Sequence, residues 1–279
     1  MPAVFLSDRV LIRILGAEAE SFLQNLITTD LAGLAPDEAR PGALLTPQGK
    51  ILFDFMIWRE GDGFVIETDE SQRDALLKRL TVYRLRAAVE IVLVEEQGVT
   101  VAWNDAVTGG WRDSRFAKAD VVLRRVPGLH GNDDVATYDA LRIEHGVPSS
   151  GADFGLQDAF PHDVLMDFNG GLSFRKGCYV GQEVVSRMQH RGTARRRLVT
   201  VSADLDLPET GTVISVGGKP MGTLGSVVGK HGLAIVRIDR AGEAMASNTP
   251  ILAGEMAVTL VLAAWSGLTF PTSADEASA

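Results

Sequence analysis

"FRKGCYVGQEVVSRMQHRG", residues 174–192, contains the single cysteine of a 279-residue chain. Cys178 follows Arg175 and Lys176, lies between Gly177 and Gly181, and precedes a short helical pattern. A helix starting near Gly181 places the sulfur just upstream of its N-terminus, where unpaired N–H groups and the macrodipole favour an anion. Two adjacent cations act in the same direction, and together these effects raise the thiolate fraction of a cysteine. A small buried side chain is the alternative, and spacing alone leaves both open. Gly177 and Gly181 predict positive φ or close approach of the backbone to another group. Gln182 and Glu183 fall in the first helical turn, where Glu183 is either a helix-start residue or a site group.

Working upstream, "RVLIRILG" (9–16) alternates as a strand, and "AEAESFLQNLITTD" (17–30) places Phe22, Leu23, Leu26 and Ile27 on one helical face. "GALLTPQGKILFDFMIW" (42–58) predicts two strands joined at Pro47-Gln48-Gly49, and "GDG" (61–63) turns into a third. Asp69 predicts the cap of a helix that points Leu76, Leu77 and Leu80 inward. Strands follow at 87–103 and at "VVLRRV", separated by a polar, Gly-rich loop over 104–120. A helix over 133–148 carries Val135, Tyr138 and Leu141 and stops at Gly146 and Pro148. The stretch 149–173 is irregular and reads as a loop that builds a site.

Downstream of Gly192, short apolar strands alternate with "PETG", "GGKPMG", "GKHG" and "ASNTP" turns, the pattern of a small antiparallel barrel. The expected architecture is α+β, with an α+β region of two subdomains over 1–193, a β-barrel over 194–268 and a disordered tail over 269–279.

Composition narrows the function. Hydrophobic residues make up 46% and charged residues 23%, enough for a full core. A net charge of −9 argues against direct nucleic-acid binding and against an anionic membrane surface. One cysteine excludes an internal disulfide and a four-thiolate cluster site within the chain. Five scattered histidines show no metal-ligand spacing, so no metal is expected. The N-terminus carries neither a signal-peptide nor a presequence pattern, which predicts a bacterial cytoplasmic protein. The basic run "HRGTARRR" (190–197) is either a solvated hairpin or a clamp for carboxylate or phosphate. Glu144 in "LRIEHG" opposes the helix dipole, so it is either simply exposed or pairs with the N–H edge of a heterocycle.

At Lys176, Gly177, Cys178, Tyr179, Gly181, Gln182 and Glu183 the chain resembles the K-G-C-[FY]-x-G-Q-E signature of the YgfZ-like folate-binding proteins. "FLQNLITTDL", "LLTPQGKILFDF", "LRIEHGVP", "NGGLSF", Arg187 and "HRG" extend the likeness over most of residues 4–265. More distantly, the family resembles the aminomethyltransferase (T-protein) of the glycine cleavage system. The resemblance implies that enzyme's fold, α+β subdomains and a C-terminal antiparallel β-barrel around a central channel. It also implies binding of tetrahydrofolate or a folate derivative. The implied role is assembly or repair of iron–sulfur clusters, including those of radical tRNA-modifying enzymes, with assembly or client proteins as partners.

On this resemblance Cys178 is the functional thiol, and Glu144, Arg142 and Arg191 are the folate-binding candidates. Asp74 is the candidate for the transferase's catalytic acid. The signature cysteine has no counterpart in the transferase, so a maturation factor is expected rather than an aminomethyltransferase. A folate-dependent aminomethyltransferase and a non-catalytic folate scaffold are the alternatives.

Overall fold

The computed structural model describes residues 2–95, 98–104 and 106–271. The chain divides into two compact units, Met1–Tyr138 with Asn169–Gln182, and Asp139–Phe168 with Glu183–Ala279.

The first unit is built on nine strands: β1 (Ala3–Leu6), β2 (Arg9–Leu15), β3 (Glu38–Leu45), β4 (Ile51–Glu60), β5 (Gly63–Asp69), β6 (Glu90–Leu93), β7 (Val99–Trp103), β8 (Trp111–Asp113) and β9 (Leu123–Pro127). They form one sheet in the order β1-β7-β9-β8-β3-β4-β5-β2-β6. All pairings are antiparallel except the short β3–β8 contact, Glu38↔Arg112 and Ala39↔Asp113.

Alternation along the strands divides the side chains between two cores. Ile12 and Ile14 of β2, Phe53, Phe55 and Ile57 of β4, and Phe64 and Ile66 of β5 enter one cluster. Leu11, Met56, Trp58 and Val65, from the intervening positions, enter the other. Because both faces are covered, these strands read as nearly continuous apolar runs.

Helices α1 (Ala19–Gln24) and α2 (Arg73–Arg84) close the first core with Phe22, Leu23, Leu76 and Leu80. Each such side chain contributes about 1.5–3 kcal/mol by leaving water. The Asp69 carboxylate accepts the Ser71 N–H at 2.9 Å, as a capping residue should, although a 3₁₀ turn at Glu70–Gln72 precedes α2. The helix over 17–30 is shorter than its periodicity predicts. Ile27 leaves it to bridge Leu44, so its burial comes from the sheet.

The second face is locked by charge. The Glu67 carboxylate on β5 is wholly buried and accepts from Arg9 and Arg125, while Arg125 also donates to buried Asp113 at 2.9 Å. Burial alone would raise the carboxyl of Glu67, but Arg125 and Arg9 outweigh it and hold it below the ordinary value. The loop expected over 104–120 is corrected here. Residues 111–117 form β8 and a helical turn, α3 (Ser114–Ala117). Asp113 caps that turn through the Arg115 N–H, and Trp111 stacks on Trp58 with ring centroids 4.9 Å apart. Residue 105 of that stretch lies outside the described residues.

Helix α4 (Val135–His145) runs from the first unit into the second, and α5 (Gln182–His190) runs the same way. The second unit contains β10 (Arg196–Ser202), β11 (Val213–Val216), β12 (Lys219–Val228), β13 (His231–Arg237), β14 (Ile251–Ala253), β15 (Met256–Ala257) and β16 (Thr259–Val261). Their antiparallel order is β15-β14-β11-β12-β13-β10-β16, wrapped on one core that includes Val199, Ile214, Leu224, Val236 and Leu260.

This module is not purely strand. Residues Ile238–Ala246 form α6, which buries Ile238, Ala241, Gly242 and Ala244. The tail expected over 269–279 falls outside the described residues from 272 onward.

Candidate functional site

The loop that carries the cysteine is fixed from beneath by its neighbours in the signature. The Lys176 ammonium donates to the carbonyls of Ile27 and Thr29, each at 2.8 Å, and lies 5.4 Å from the centre of the Tyr179 ring. Burial pushes this amine down to about 8. The Tyr179 hydroxyl donates to the Ser173 carbonyl at 3.1 Å, and burial raises its phenol. Ser173 donates its N–H to the Thr28 carbonyl at 2.9 Å, while the Thr28 hydroxyl donates to the Gly171 carbonyl at 2.6 Å. The "ITT" segment at 27–29 is therefore a platform for the loop.

Gly181 has φ +80°, and a Cβ there would sit 2.6 Å from the Thr46 carbonyl oxygen, so both glycine expectations hold at this position. Gly177 shows neither property, and its surroundings are open. With Tyr179 buried and Lys176 anchored, Cys178 between them is exposed and free. This removes the buried-hydrophobe alternative. It also corrects the picture of two cations serving the sulfur, because the Lys176 charge is committed to two carbonyls.

In α5, Glu183 and Arg187 form an exposed i,i+4 pair at 3.6 Å. Gln182 donates its N–H to the Tyr179 carbonyl at 3.2 Å, which joins the loop to the helix start.

The folate candidates all lie in the second unit, and they separate by environment. Glu144 is exposed and lines a hollow of about 420 Å³ with Ile143, Thr200, Val201, Ser202, Val228 and His231. This set offers a carboxylate, hydroxyls, an imidazole and aliphatic sides, which suits a flat heterocycle with paired N–H donors.

Arg142 is buried and acts as an anchor. It donates twice to Asp139, and once each to Asp153 at 3.0 Å, the Val147 carbonyl at 3.1 Å and the Ser226 hydroxyl at 3.1 Å. The Asp153 carboxylate also accepts the N–H groups of Ser149 and Ser226 at 2.8 and 2.7 Å. A Cβ on Gly225 would meet that carboxylate at 2.5 Å, so only glycine permits the approach. These bonds fix the irregular segment after α4 against β12, beside the hollow that Glu144 lines.

The basic run resolves residue by residue. Arg197 is buried and chelates both Asp167 oxygens at 2.8 and 3.0 Å, Arg196 lies 3.5 Å from Asp158, and Arg195 lies 4.0 Å from Asp239. Arg191 is exposed and has no ion pair among the described residues. Asp74 sits on the surface of α2, its side chain 84% exposed and bonded to Arg73, whose hydrogen bond and charge hold it below the usual carboxylate value.

Sequence reasoning missed a buried polar cluster in 160–168. Burial pushes His162 down to about 4, with the Arg197 charge adding to the effect, and burial pushes Asp163 up to about 6. "FPHDVLMDF" held a signal, since polar residues interleaved with large apolar ones in a loop mark a packed segment. Among the described residues no group of His, Cys, Asp and Glu could hold a metal ion, and no helix is long and apolar enough to cross a membrane.

A mixed sheet followed by a small antiparallel barrel defines the architecture of the glycine cleavage aminomethyltransferases. The crystal structure of the aminomethyltransferase T from Bartonella henselae matches with a TM-score of 0.72 at 16% identity, over 94% of this chain and 85% of that one. Residues 195–268 match the model of the CAF17 C-terminal beta-barrel domain. The "Iron-sulfur cluster assembly factor IBA57 homolog, mitochondrial" of Coccidioides immitis is 30% identical, over 85% of this chain and 71% of that protein. The human "Iron-sulfur cluster assembly factor IBA57, mitochondrial" is 31% identical, over 83% and 76%. The chain belongs to the IBA57 family of iron–sulfur cluster assembly factors. These relatives carry the IBA57 name and not the YgfZ one.

The same relatives correct the expectation of a bacterial cytoplasmic protein. Those from fungi and human are mitochondrial by name. The cytoplasmic expectation rested only on the lack of a targeting pattern, which says nothing positive about a compartment.

Proposed function

We propose that the chain is a folate-binding assembly or repair factor for iron–sulfur clusters, including clusters of radical tRNA-modifying enzymes, with Cys178 as its working thiol. Its α+β region, 1–193, and its barrel, 194–268, are the two modules of this machine. Membership in the family together with one exposed thiol on a pinned loop carries the proposal. Lys176, Tyr179 and Gly181 hold the loop, so the sulfur meets solvent from a fixed backbone. A single thiolate has too few ligands to retain a cluster, which suits transient custody of sulfur or iron that belongs to a client.

The residues around Glu144 fit a folate. Its carboxylate would accept the paired N–H donors of the pterin edge, and Ile143, Val201 and Val228 would flank the ring. Exposed Arg191 is the cation proposed for the glutamate tail. Arg142 orients this wall and touches no ligand. Tetrahydrofolate supplies a carrier for one-carbon units when bound.

Aminomethyl transfer needs an acid poised at the reacting nitrogen. Asp74, solvated and paired with Arg73, supports the assembly factor over the transferase.

Calorimetric titration with tetrahydrofolate tests the folate reading. Wild type and Cys178→Ser should bind alike, and Glu144→Gln should bind about tenfold or more weakly through loss of a charge-assisted pair. Absence of binding by the wild type would remove folate from the account and leave the thiol.

A further inference from the structure

We propose that a second hollow, lined by Arg195 and Arg197 at the start of β10 and by residues 167–168 and 267–271, binds a small flat carboxylate. It shares no lining residue with the hollow of Glu144, and the proposal does not rest on the folate reading.

The hollow encloses about 690 Å³ within the second unit, a volume that a small ligand fills. Its walls are held in place by their own packing. Leu165 is fully buried with φ 60°, a conformation disfavoured for a residue with a Cβ, so the turn that delivers Asp167 and Phe168 is fixed against local strain. Leu268 and Phe270 pack against the barrel core. A Cβ on Gly242 of α6 would collide with the Pro271 carbonyl, so only glycine lets that segment lie where it does.

The recognising group is Arg197, which is buried. Its guanidinium uses one nitrogen on its neighbours: Nη1 donates to both Asp167 oxygens at 3.0 and 2.8 Å and to the His162 carbonyl at 2.7 Å. Among the described residues Nη2 makes no hydrogen bond, and Nε is buried without a partner. These two nitrogens share one side of the planar fork, the side that meets both oxygens of a carboxylate. A buried donor without an acceptor is unfavourable, and a ligand oxygen removes that penalty. The Phe168 ring lies 5.5 Å from the guanidinium carbon and, with Phe270 and Met188, gives a flat apolar body a place to pack.

The charges on the lining set the ligand's own charge. Asp167 is paired with Arg197, and Asp239 accepts from Arg237 at 2.8 Å. Arg195, 4.0 Å from Asp239, is the surplus cation. Asp163 is off the lining and lies 3.8 Å from Arg196. One surplus cation beside two carboxylates suits a monoanion and disfavours a phosphate dianion, which Asp167 and Asp239 would repel. The ligand class is therefore a monocarboxylate on an aromatic or otherwise flat body.

The probe is para-fluorobenzoate, its fluorine resonance followed as the full chain is added, with para-fluorobenzamide and para-fluorophenyl phosphate as controls. The expected result is a Kd of ~1 mM or below for the carboxylate, and binding about tenfold weaker or less for the amide and the phosphate. Arg195→Gln alters a half-exposed side chain and should weaken the carboxylate severalfold. Arg197→Lys keeps the charge and loses the planar edge, so it should bind about tenfold more weakly, with thermal unfolding confirming that it is folded. If that variant does not fold, Arg195→Gln alone decides. Tetrahydrofolate should not displace the probe. Absence of binding by the wild type at about 10 mM would overturn the proposal, as would equal affinity for carboxylate and amide or equal affinity of wild type and Arg195→Gln. Displacement by tetrahydrofolate would overturn it by making the hollow part of the folate site. Binding that appears only after removal of residues 272–279 would overturn it by making that segment the occupant.

Discussion

Replacing Arg142 with methionine separates an anchor from a ligand contact. The substitution keeps most of the apolar stem and removes the guanidinium that meets Asp139, Asp153, Val147 and Ser226. The side chain of Asp153 is 0% exposed, so it would remain as a buried carboxylate without its counter-ion. Removing one partner of a buried pair costs about 3–5 kcal/mol. Two backbone N–H groups, at 2.8 and 2.7 Å, still hold the Asp153 carboxylate, which places the cost near the lower limit.

The expectation is therefore a loss of about 3 kcal/mol in urea unfolding. Adding Asp153→Asn should recover none of it, because the two Asp153 oxygens accept the Ser149 and Ser226 N–H groups and an amide NH2 would face one of those donors. Tetrahydrofolate binding should weaken in step with stability, because the wall beside Glu144 loosens. An Arg142→Met protein of unchanged stability that no longer binds folate would refute the anchor and make Arg142 a direct contact.

Three further outcomes follow from the same geometry. Gly181→Ala forces a Cβ to 2.6 Å from the Thr46 carbonyl at positive φ, so it should cost about 2 kcal/mol or more and change the rate at which iodoacetamide alkylates Cys178. His162 and Asp163 titrate against each other. As pH falls from 6.5 to 4, His162, lowered to about 4, withdraws about 3 kcal/mol of stability, and as pH falls from about 6 to 3.8, Asp163, raised to about 6, returns about 3 kcal/mol. Asp163→Asn should therefore lose stability more steeply towards pH 4 than wild type in urea titrations, and His162→Gln less steeply. Identical slopes would contradict both shifts. Asp74→Asn should leave tetrahydrofolate affinity and thermal unfolding unchanged, since its carboxylate meets only solvent and Arg73.

What the sequence revealed and what it hid divide along the range of the forces involved. Alternation in β2, β4 and β5 is a local signal, and because both sheet faces are buried it appears as long apolar runs that are hard to mistake. The turn at 47–49, the Asp69 cap and the start of α5 after Gly181 are local for the same reason. Helix α6 escaped because its amphipathic stripe of Ile238, Ala241, Gly242 and Ala244 lies in a region whose turns and short apolar runs read as strands throughout. Strand β8 and α3 escaped because Asp113 and Trp111 are placed by Arg125, on the next strand, and by Trp58, on β4, and not by a pattern within the segment.

At the candidate site the signature residues were visible, but their division of labour was not. Lys176 looked like a cation for the thiol, and only the carbonyls of Ile27 and Thr29, about 150 residues away, reveal its structural task. Arg142 read as a folate-binding candidate from its place beside Glu144, and nothing in the sequence signalled that Asp139, Asp153 and Ser226 would meet its guanidinium.

The signature loop presents Cys178 to solvent, and the proposed role in cluster assembly rests on that sulfur. Cys178→Ser changes one exposed atom, so the folded protein and its tetrahydrofolate affinity should be preserved. The decisive measurement is the yield of [4Fe–4S] cluster on a client enzyme, followed by electron paramagnetic resonance, in cells whose only copy of this factor is wild type or Cys178→Ser. The serine variant should leave the client without its cluster while still binding tetrahydrofolate. A client that acquires its full cluster signal with the serine variant would show that Cys178 is not the working thiol.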